Sequence, residues 1–335
     1  MSLARRGCLS RVIQLIWGMI LGGCAVRSPA EHLPPEYVRA EVQLGRSSPV
    51  LSESQIDTLN RYLSTVRVGT AFKVPGQGDR IKTCSGVLIH SQIVLTAGHC
   101  VCQERKPLPP EASHITVVDK LSCAKSASVT LTRYPHSTPD EESWEPRAVE
   151  EAQTGSIQVH EDIRILYETH ESDGRDTEYS TADLAIIILK KPLQGQVEPV
   201  NLSDRPVQLR EKVLLAGYGA GELEGGIVGR HRRYGENEIA SIKADGSTFH
   251  VGRQLEIEPF YRGDKPEVLR RKGSYAVAGD SGGPCFREKR GALELVGIAR
   301  STSGPPVVLS VYTSTYKYLH WLREKIKAVE NGDTD

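Results

Sequence analysis

Ser281 sits in Ala278–Cys285, which reads Ala-Gly-Asp-Ser-Gly-Gly-Pro-Cys. Gly279, Gly282 and Gly283 let a backbone turn tightly and approach a ligand closely. Such a turn can hold the hydroxyl of Ser281 outward, with the N–H groups of Gly279 and Ser281 converging beside it. Two converging donors stabilise the oxyanion of a tetrahedral intermediate. A hydroxyl is a weak nucleophile at its own pKa and needs a base. His99 offers one, behind a short apolar run in Leu95-Thr96-Ala97-Gly98-His99-Cys100. Asp183, in Ser180-Thr181-Ala182-Asp183, opens the apolar run Leu184–Leu189 and can orient that imidazole. Each residue has a plain account on its own: a satisfied histidine, a turn aspartate, a serine in a glycine turn. Together, in the order His99, Asp183, Ser281 and roughly 80–100 residues apart, they are the parts of nucleophilic acyl transfer.

The elements that must position them belong to a chain of 335 residues, long enough for a large core or two packed subdomains. Lys+Arg and Asp+Glu both number 42, so bulk electrostatics give no support for nucleic-acid binding. With 31 glycines, 19 prolines and 6% aromatic residues, the composition suits a turn-rich β protein.

The amino terminus reads as an export signal over residues 1–23. Arg5, Arg6 and Arg11 form a basic region, and Val12–Gly23 is apolar but short for a membrane span. Leu21-Gly22-Gly23-Cys24 is similar to the lipobox of bacterial lipoproteins. On that reading Cys24 becomes the lipidated first residue of the mature chain and anchors it to a membrane. An ordinary secretory signal is the competing account. Residues 24–60 then form a tether, and 61–330 the main domain.

Across the end of the tether, Ile56, Leu59 and Leu63 fall at helical spacing, so a short helix is expected over Ser52–Leu63. Val66–Phe72, Cys84–Ile89, Ile93–Thr96, Val213–Gly219, Leu293–Arg300 and Val307–Thr313 read as strands. His136–Thr154 is acidic and reads as a solvated loop rather than a calcium site. Gly217–Arg230 is glycine-rich without the context of a nucleotide cradle. His231-Arg232-Arg233 reads as a solvated basic loop. Tyr316–Glu330 carries Tyr318, Leu319, Leu322, Ile326 and Val329 on one face, an amphipathic helix expected to pack on the second half of the fold. The cysteines lack a Cys-x2-Cys…Cys-x2-Cys set, so no metal site is expected.

Three motifs, Thr96–Cys100 (TAGHC), Asp183–Leu189 (DLAIIIL) and Gly279–Pro284 (GDSGGP), resemble those of the chymotrypsin/trypsin-like serine peptidases. The resemblance runs from about Val66 to about Val329. It implies an all-β fold of two antiparallel six-stranded barrels with a C-terminal α-helix, and a site in the cleft between the barrels. It also implies endopeptidase action on protein or peptide substrates through an acyl-enzyme, with His99, Asp183 and Ser281 catalytic, Gly279 and Ser281 forming the oxyanion hole, and no cofactor. The family pattern pairs Cys84 with Cys100. Cys102 and Cys123 then close an inserted loop over Cys102–Ser126, and Cys285 is left as a small buried hydrophobe.

Departures from the pattern fall on activation and specificity. Asp280 matches an aspartate that commonly receives a freed amino terminus, yet no suitable stretch precedes Val66, so internal pairing of Asp280 is the alternative. Tyr275 occupies the position, six residues before Ser281, where enzymes selective for Lys or Arg carry an aspartate. Arg300, Ser301 and Thr302 match the substrate-pairing segment, and Ser310 stands where a glycine often lies. Thr302 and Ser310 narrow the pocket for a small P1 side chain. Arg300 reads either as a charge favouring an acidic P1 or as a solvent-facing strand end. The rival class is a peptidase-like module that binds a partner without turnover, and an esterase is a third reading. Oligomeric state is not legible.

Overall fold

The computed structural model describes residues 54–333 apart from 75–77, 108–113, 136–146, 170–174, 196, 221–230, 253–256, 263–264, 272 and 303–306. The signal segment, Cys24, most of the tether, part of the acidic loop and most of the glycine-rich stretch lie outside the described residues.

Six strands close the first barrel: Thr65–Val74, Gly78–His90, Ile93–Thr96, Ser126–Arg133, Val149–Val159 and Ala185–Leu189. In the first of these, Val66, Val68, Thr70 and Phe72 are buried while Arg67, Gly69, Ala71 and Lys73 are more exposed, the two-residue period of a strand with one face inward. Ala185–Leu189 is buried throughout, between Ile93–Thr96 and Val149–Val159. Its unbroken apolar run follows from being covered on both faces.

The second barrel comprises Lys212–Gly217, Arg233–Ile242, Thr248–Val251, Pro284–Lys289, Ala292–Thr302 and Ser310–Ser314. It closes where Arg233–Ile242 meets Thr248–Val251. Disulfides join Cys84 to Cys100 and Cys102 to Cys123. Cys285 is free and buried, and burial pushes its thiol well above the ordinary range. The loop that Cys102–Cys123 closes contributes Ile115–Asp119 to a small sheet with Arg164–Thr169 and Arg175–Thr181. That sheet leads directly into Ala182 and Asp183.

Residues 54–63 are not helical. Gln55–Ile56 forms a short strand on Arg233–Tyr234, and turns follow. Side-chain chemistry overrides the helical spacing. The Asp57 carboxylate accepts the N–H groups of Arg61 and Tyr62, each at 2.9 Å, and Asn60 adopts a left-handed backbone. The basic triplet is likewise no solvated loop: His231, Arg232 and Arg233 are all buried. Arg232 donates to Asp57 at 2.8 Å and to the Thr132 carbonyl of the first barrel at 2.7 Å. It also reaches Tyr218 Oη and Asn60 Oδ1, each at 3.3 Å. This one cation therefore ties the amino-terminal segment to both barrels. Truncating Asp57→Ala leaves a buried guanidinium without its counter-charge, and is expected to cost about 3–5 kcal/mol of stability in urea titrations.

The C-terminal helix, Leu319–Glu330, buries Trp321 and Leu322. Packing on the second barrel alone was too narrow an expectation. The Trp321 ring lies 4.9 Å from that of His160, and Tyr318, just before the helix, lies 5.1 Å from it. His160 follows the first-barrel strand Val149–Val159, and the aromatic surface it offers draws the helix across. No helix among the described residues is long and apolar enough to cross a membrane.

Candidate active site

His99 lies in a single helical turn, Gly98–Val101, directly after the buried strand Ile93–Thr96, and the Cys84–Cys100 disulfide ties that turn to the neighbouring strand. Asp183 accepts twice from it: the His99 backbone N–H meets Oδ1 at 2.8 Å, and Nδ1 meets Oδ2 at 2.8 Å. Asp183 is 1% exposed. Burial acts to raise its carboxyl, but the charge and hydrogen bonds of His99, with the charge of Arg300, outweigh that and hold it below the ordinary carboxylate value. An ionised carboxylate only accepts, so Nδ1 carries the proton that meets it, and whenever the ring is neutral Nε2 is left as the acceptor. Asp183 is itself held from behind. Ala182 has φ +44°, uncommon for a residue with a side chain, and its N–H donates to Tyr318 Oη at 3.0 Å.

The serine turn is pinned peptide by peptide. The Ala278 carbonyl accepts from Ala220 N–H at 3.0 Å, and the Gly279 carbonyl from Ser85 Oγ at 2.8 Å. The Asp280 carbonyl accepts from Gly283 N–H, and the Ser281 carbonyl from Ser85 N–H, both at 2.7 Å. Asp280 N–H goes to the Val277 carbonyl and Gly282 N–H to that of Ala299. From Gly279 to Gly283, the N–H groups of Gly279 and Ser281 are the two without an acceptor among the described residues. Each peptide carbonyl is fixed, so each opposing N–H direction is fixed too.

The glycines are required here. Gly279 has φ +96° and Gly282 +80°. A Cβ on Gly282 would stand 2.1 Å from Thr96 Oγ1 and 2.3 Å from the Ser85 carbonyl oxygen. The residue after Ser281 is thus pressed against the strand end that leads into His99.

Asp280 pairs internally. Its carboxylate accepts Gly219 N–H at 2.7 Å and Val277 N–H at 2.9 Å. Burial raises its pKa from 3.8 to about 6, against the opposing pull of those two donors and the charge of Arg233. The folded protein therefore favours the protonated form more than the unfolded chain does. The corresponding stabilisation is complete below pH 3.8 and is lost as pH rises through about 6. Asp280→Asn is expected to flatten the stability difference between pH 4 and 7 by about 2 kcal/mol, read from urea midpoints at the two pH values.

On the neighbouring strand, Arg300 stands at a β-bulge between Ala299 and Ser301. Ser301 pairs with Val311 and Thr302 with Ser310. Ser310 is fully buried, and its Oγ accepts Ala276 N–H at 2.8 Å, which brings the buried Tyr275 and its neighbour alongside this strand pair. Thr302 is exposed, whereas Arg300 and Ser301 are half-buried. Cys84, Cys100 and His99 lie close enough to resemble a metal-ligand cluster, but both sulfurs are consumed in the disulfide. Sequence reasoning missed Ser85, Gly219, Ala220 and Tyr318, which hold the turn and Asp183 in place. Ser85 follows the paired Cys84, and that adjacency is the one signal the chain offered.

Two antiparallel barrels, with a His–Asp pair on one and a glycine-rich serine turn on the other, define a trypsin-like scaffold. The trypsin family model matches residues 66–136 and 146–322, and the chain belongs to that family as a trypsin-like serine protease domain. It is similar to a CLIP domain-containing serine protease B4 of Anopheles gambiae, 22% identical over 255 residues. That match covers 72% of this chain and 62% of the relative, so the chain spans less than two thirds of the relative's length.

Proposed function

We infer that the protein is a serine endopeptidase acting through an acyl-enzyme. The observation that carries this reading is the pair of N–H groups, Gly279 and Ser281, left without acceptors in a turn pressed against the segment bearing His99. Ser281 attacks the scissile carbonyl, and His99 Nε2 takes its proton and returns it to the leaving amine. Asp183 keeps the imidazole in the required tautomer and stabilises its charged form. Gly279 and Ser281 N–H hold the oxyanion. The substrate lies extended along the edge at Arg300–Thr302, adding main-chain hydrogen bonds. Tyr275 offers no carboxylate for a basic P1 side chain, and Ser310 with Thr302 narrows the same region, so a small P1 residue fits. The export signal places the domain outside the cytoplasm, anchored through a lipid at Cys24. Mass spectrometry of the mature amino-terminal peptide tests that anchor, and an unmodified peptide starting beyond Cys24 would remove it.

The test of activity is labelling by a fluorophosphonate probe, before and after limited proteolysis, beside the Ser281→Ala variant. Labelling of the untreated protein that requires Ser281 is the expected result. Absence of labelling in both states, with folding confirmed, would overturn the reading in favour of a peptidase-like binding module. A P1 peptide library then reads specificity, and strong cleavage after Lys or Arg would contradict the small-residue pocket.

A further inference from the structure

Ser85 is fully buried on the first-barrel strand Gly78–His90, immediately after Cys84. It touches both residues whose N–H groups lack acceptors in the serine turn. Its hydroxyl donates to the Gly279 carbonyl at 2.8 Å, and its N–H donates to the Ser281 carbonyl at 2.7 Å. The same hydroxyl accepts Tyr218 N–H at 2.8 Å, two residues before the Ala220 N–H that holds the Ala278 carbonyl. Its own carbonyl accepts Thr96 Oγ1 at 2.7 Å, three residues before His99.

We propose that the Ser85 hydroxyl is a positioning residue for the oxyanion donors, a bridge from the first barrel that fixes the Gly279–Asp280 peptide, the link between the two donor-bearing peptides. A peptide carbonyl and its N–H point in opposite directions, so the rotation of a glycine at φ +96° is limited chiefly by what holds its neighbouring carbonyls. On one side Ala220 N–H holds Ala278; on the other, Ser85 Oγ holds Gly279 itself. Any residue at position 85 other than proline supplies the N–H that holds Ser281, but only a side chain with a hydroxyl of this reach supplies the second bond. Removing it separates the two holds. The Ala278 and Asp280 carbonyls keep their partners, the Gly279–Asp280 peptide that links the two donors gains freedom to turn, and a buried carbonyl and a buried N–H lose their shared partner. An oxyanion hole works because its donors are fixed before charge develops, so the loss falls on the transition state rather than on substrate binding.

This inference rests on the peptidase reading, and the experiment separates the two. Wild-type, Ser85→Ala and Ser85→Cys proteins are titrated for active sites and assayed on the best peptide substrate. The inhibition constant of a peptidyl trifluoromethyl ketone is measured in parallel, and the ionisation of its tetrahedral adduct is followed by ¹³C NMR. In Ser85→Ala, kcat is expected to fall about 10–100-fold, below the loss from deleting a donor outright, with KM within about twofold. Affinity for the ketone falls by the same factor, and the adduct oxyanion titrates at higher pH. Ser85→Cys, which keeps a weak donor, lies between, and it carries the comparison if the alanine variant does not fold. An active wild type with unchanged kcat in the variants overturns the proposal. So does an equal loss of affinity for the ketone and for a non-covalent substrate analogue, which marks general loosening. A wild type that neither turns over substrate nor labels overturns the peptidase reading instead.

Discussion

Ser281→Ala is expected to lower kcat by about 10⁶-fold while leaving substrate affinity and stability nearly untouched. The bonds that hold residue 281 are made by its backbone: the carbonyl accepts from Ser85 N–H, and the next residue's N–H reaches Ala299. Neither involves the hydroxyl, and Ser281 is half-buried rather than packed in the core. Stability is therefore expected within about 0.5 kcal/mol of the parent in urea titration. The donors on Gly279 and Ser281 survive the substitution, so slow turnover about 10³–10⁴-fold above the reaction in water is expected to remain. Steady-state kinetics with an activated ester, together with the dissociation constant of an uncleaved peptide, separate the two effects. A variant that turned over as fast as the parent would exclude Ser281 as the nucleophile.

Much of the fold was legible in the chain because the local signals agree with it. The strand Ile93–Thr96 and the run Leu184–Leu189 are apolar without interruption, and both sit in the wall of the first barrel. GDSGGP could be read as a tight turn because positive φ falls on its glycines. What stayed hidden depends on contacts between segments far apart in sequence. The spacing of Ile56, Leu59 and Leu63 favoured a helix, and nothing local showed that Asp57 would meet Arg232, 175 residues on. Arg232, read as part of a solvated loop, is buried because it finds the carboxylate of Asp57. Ser85 was hidden for the same reason: beyond its place after Cys84, a serine in a strand carries no pattern until Gly279, 194 residues away, is laid against it. The supports of the site are thus less legible than its chemistry. Reactive residue types are few and sit in recognisable turns, whereas their supports are ordinary residues chosen by distance.

Asp183→Asn is the substitution in which that support becomes chemistry, with an expected loss in kcat of about 10⁴-fold. Asp183 uses both oxygens on one partner, Oδ1 for the His99 backbone N–H and Oδ2 for Nδ1. Asparagine has one oxygen and one amide nitrogen to place at those two positions. If the nitrogen took the Oδ1 position, it would face a backbone N–H whose proton cannot leave. The oxygen therefore keeps the backbone bond, and the NH2 group faces Nδ1. A donor there makes Nδ1 the acceptor and sends the imidazole proton to Nε2. The ring keeps its place but presents a donor to Ser281, so it cannot take the hydroxyl proton. Because Asp183 is buried and behind His99, substrate affinity is expected to stay within about twofold, and the loss falls on kcat. Stability shifts in the same variant with a definite sign. The Asp183 carboxyl sits below its ordinary value, so it stabilises the fold above the unfolded pKa, and that contribution fades as pH falls through the folded one. The variant therefore loses stability relative to the parent at pH 7, and the gap narrows toward acid. A kcat near that of the parent, with an unaltered pH profile, would show that the His99–Asp183 bond does not set the tautomer.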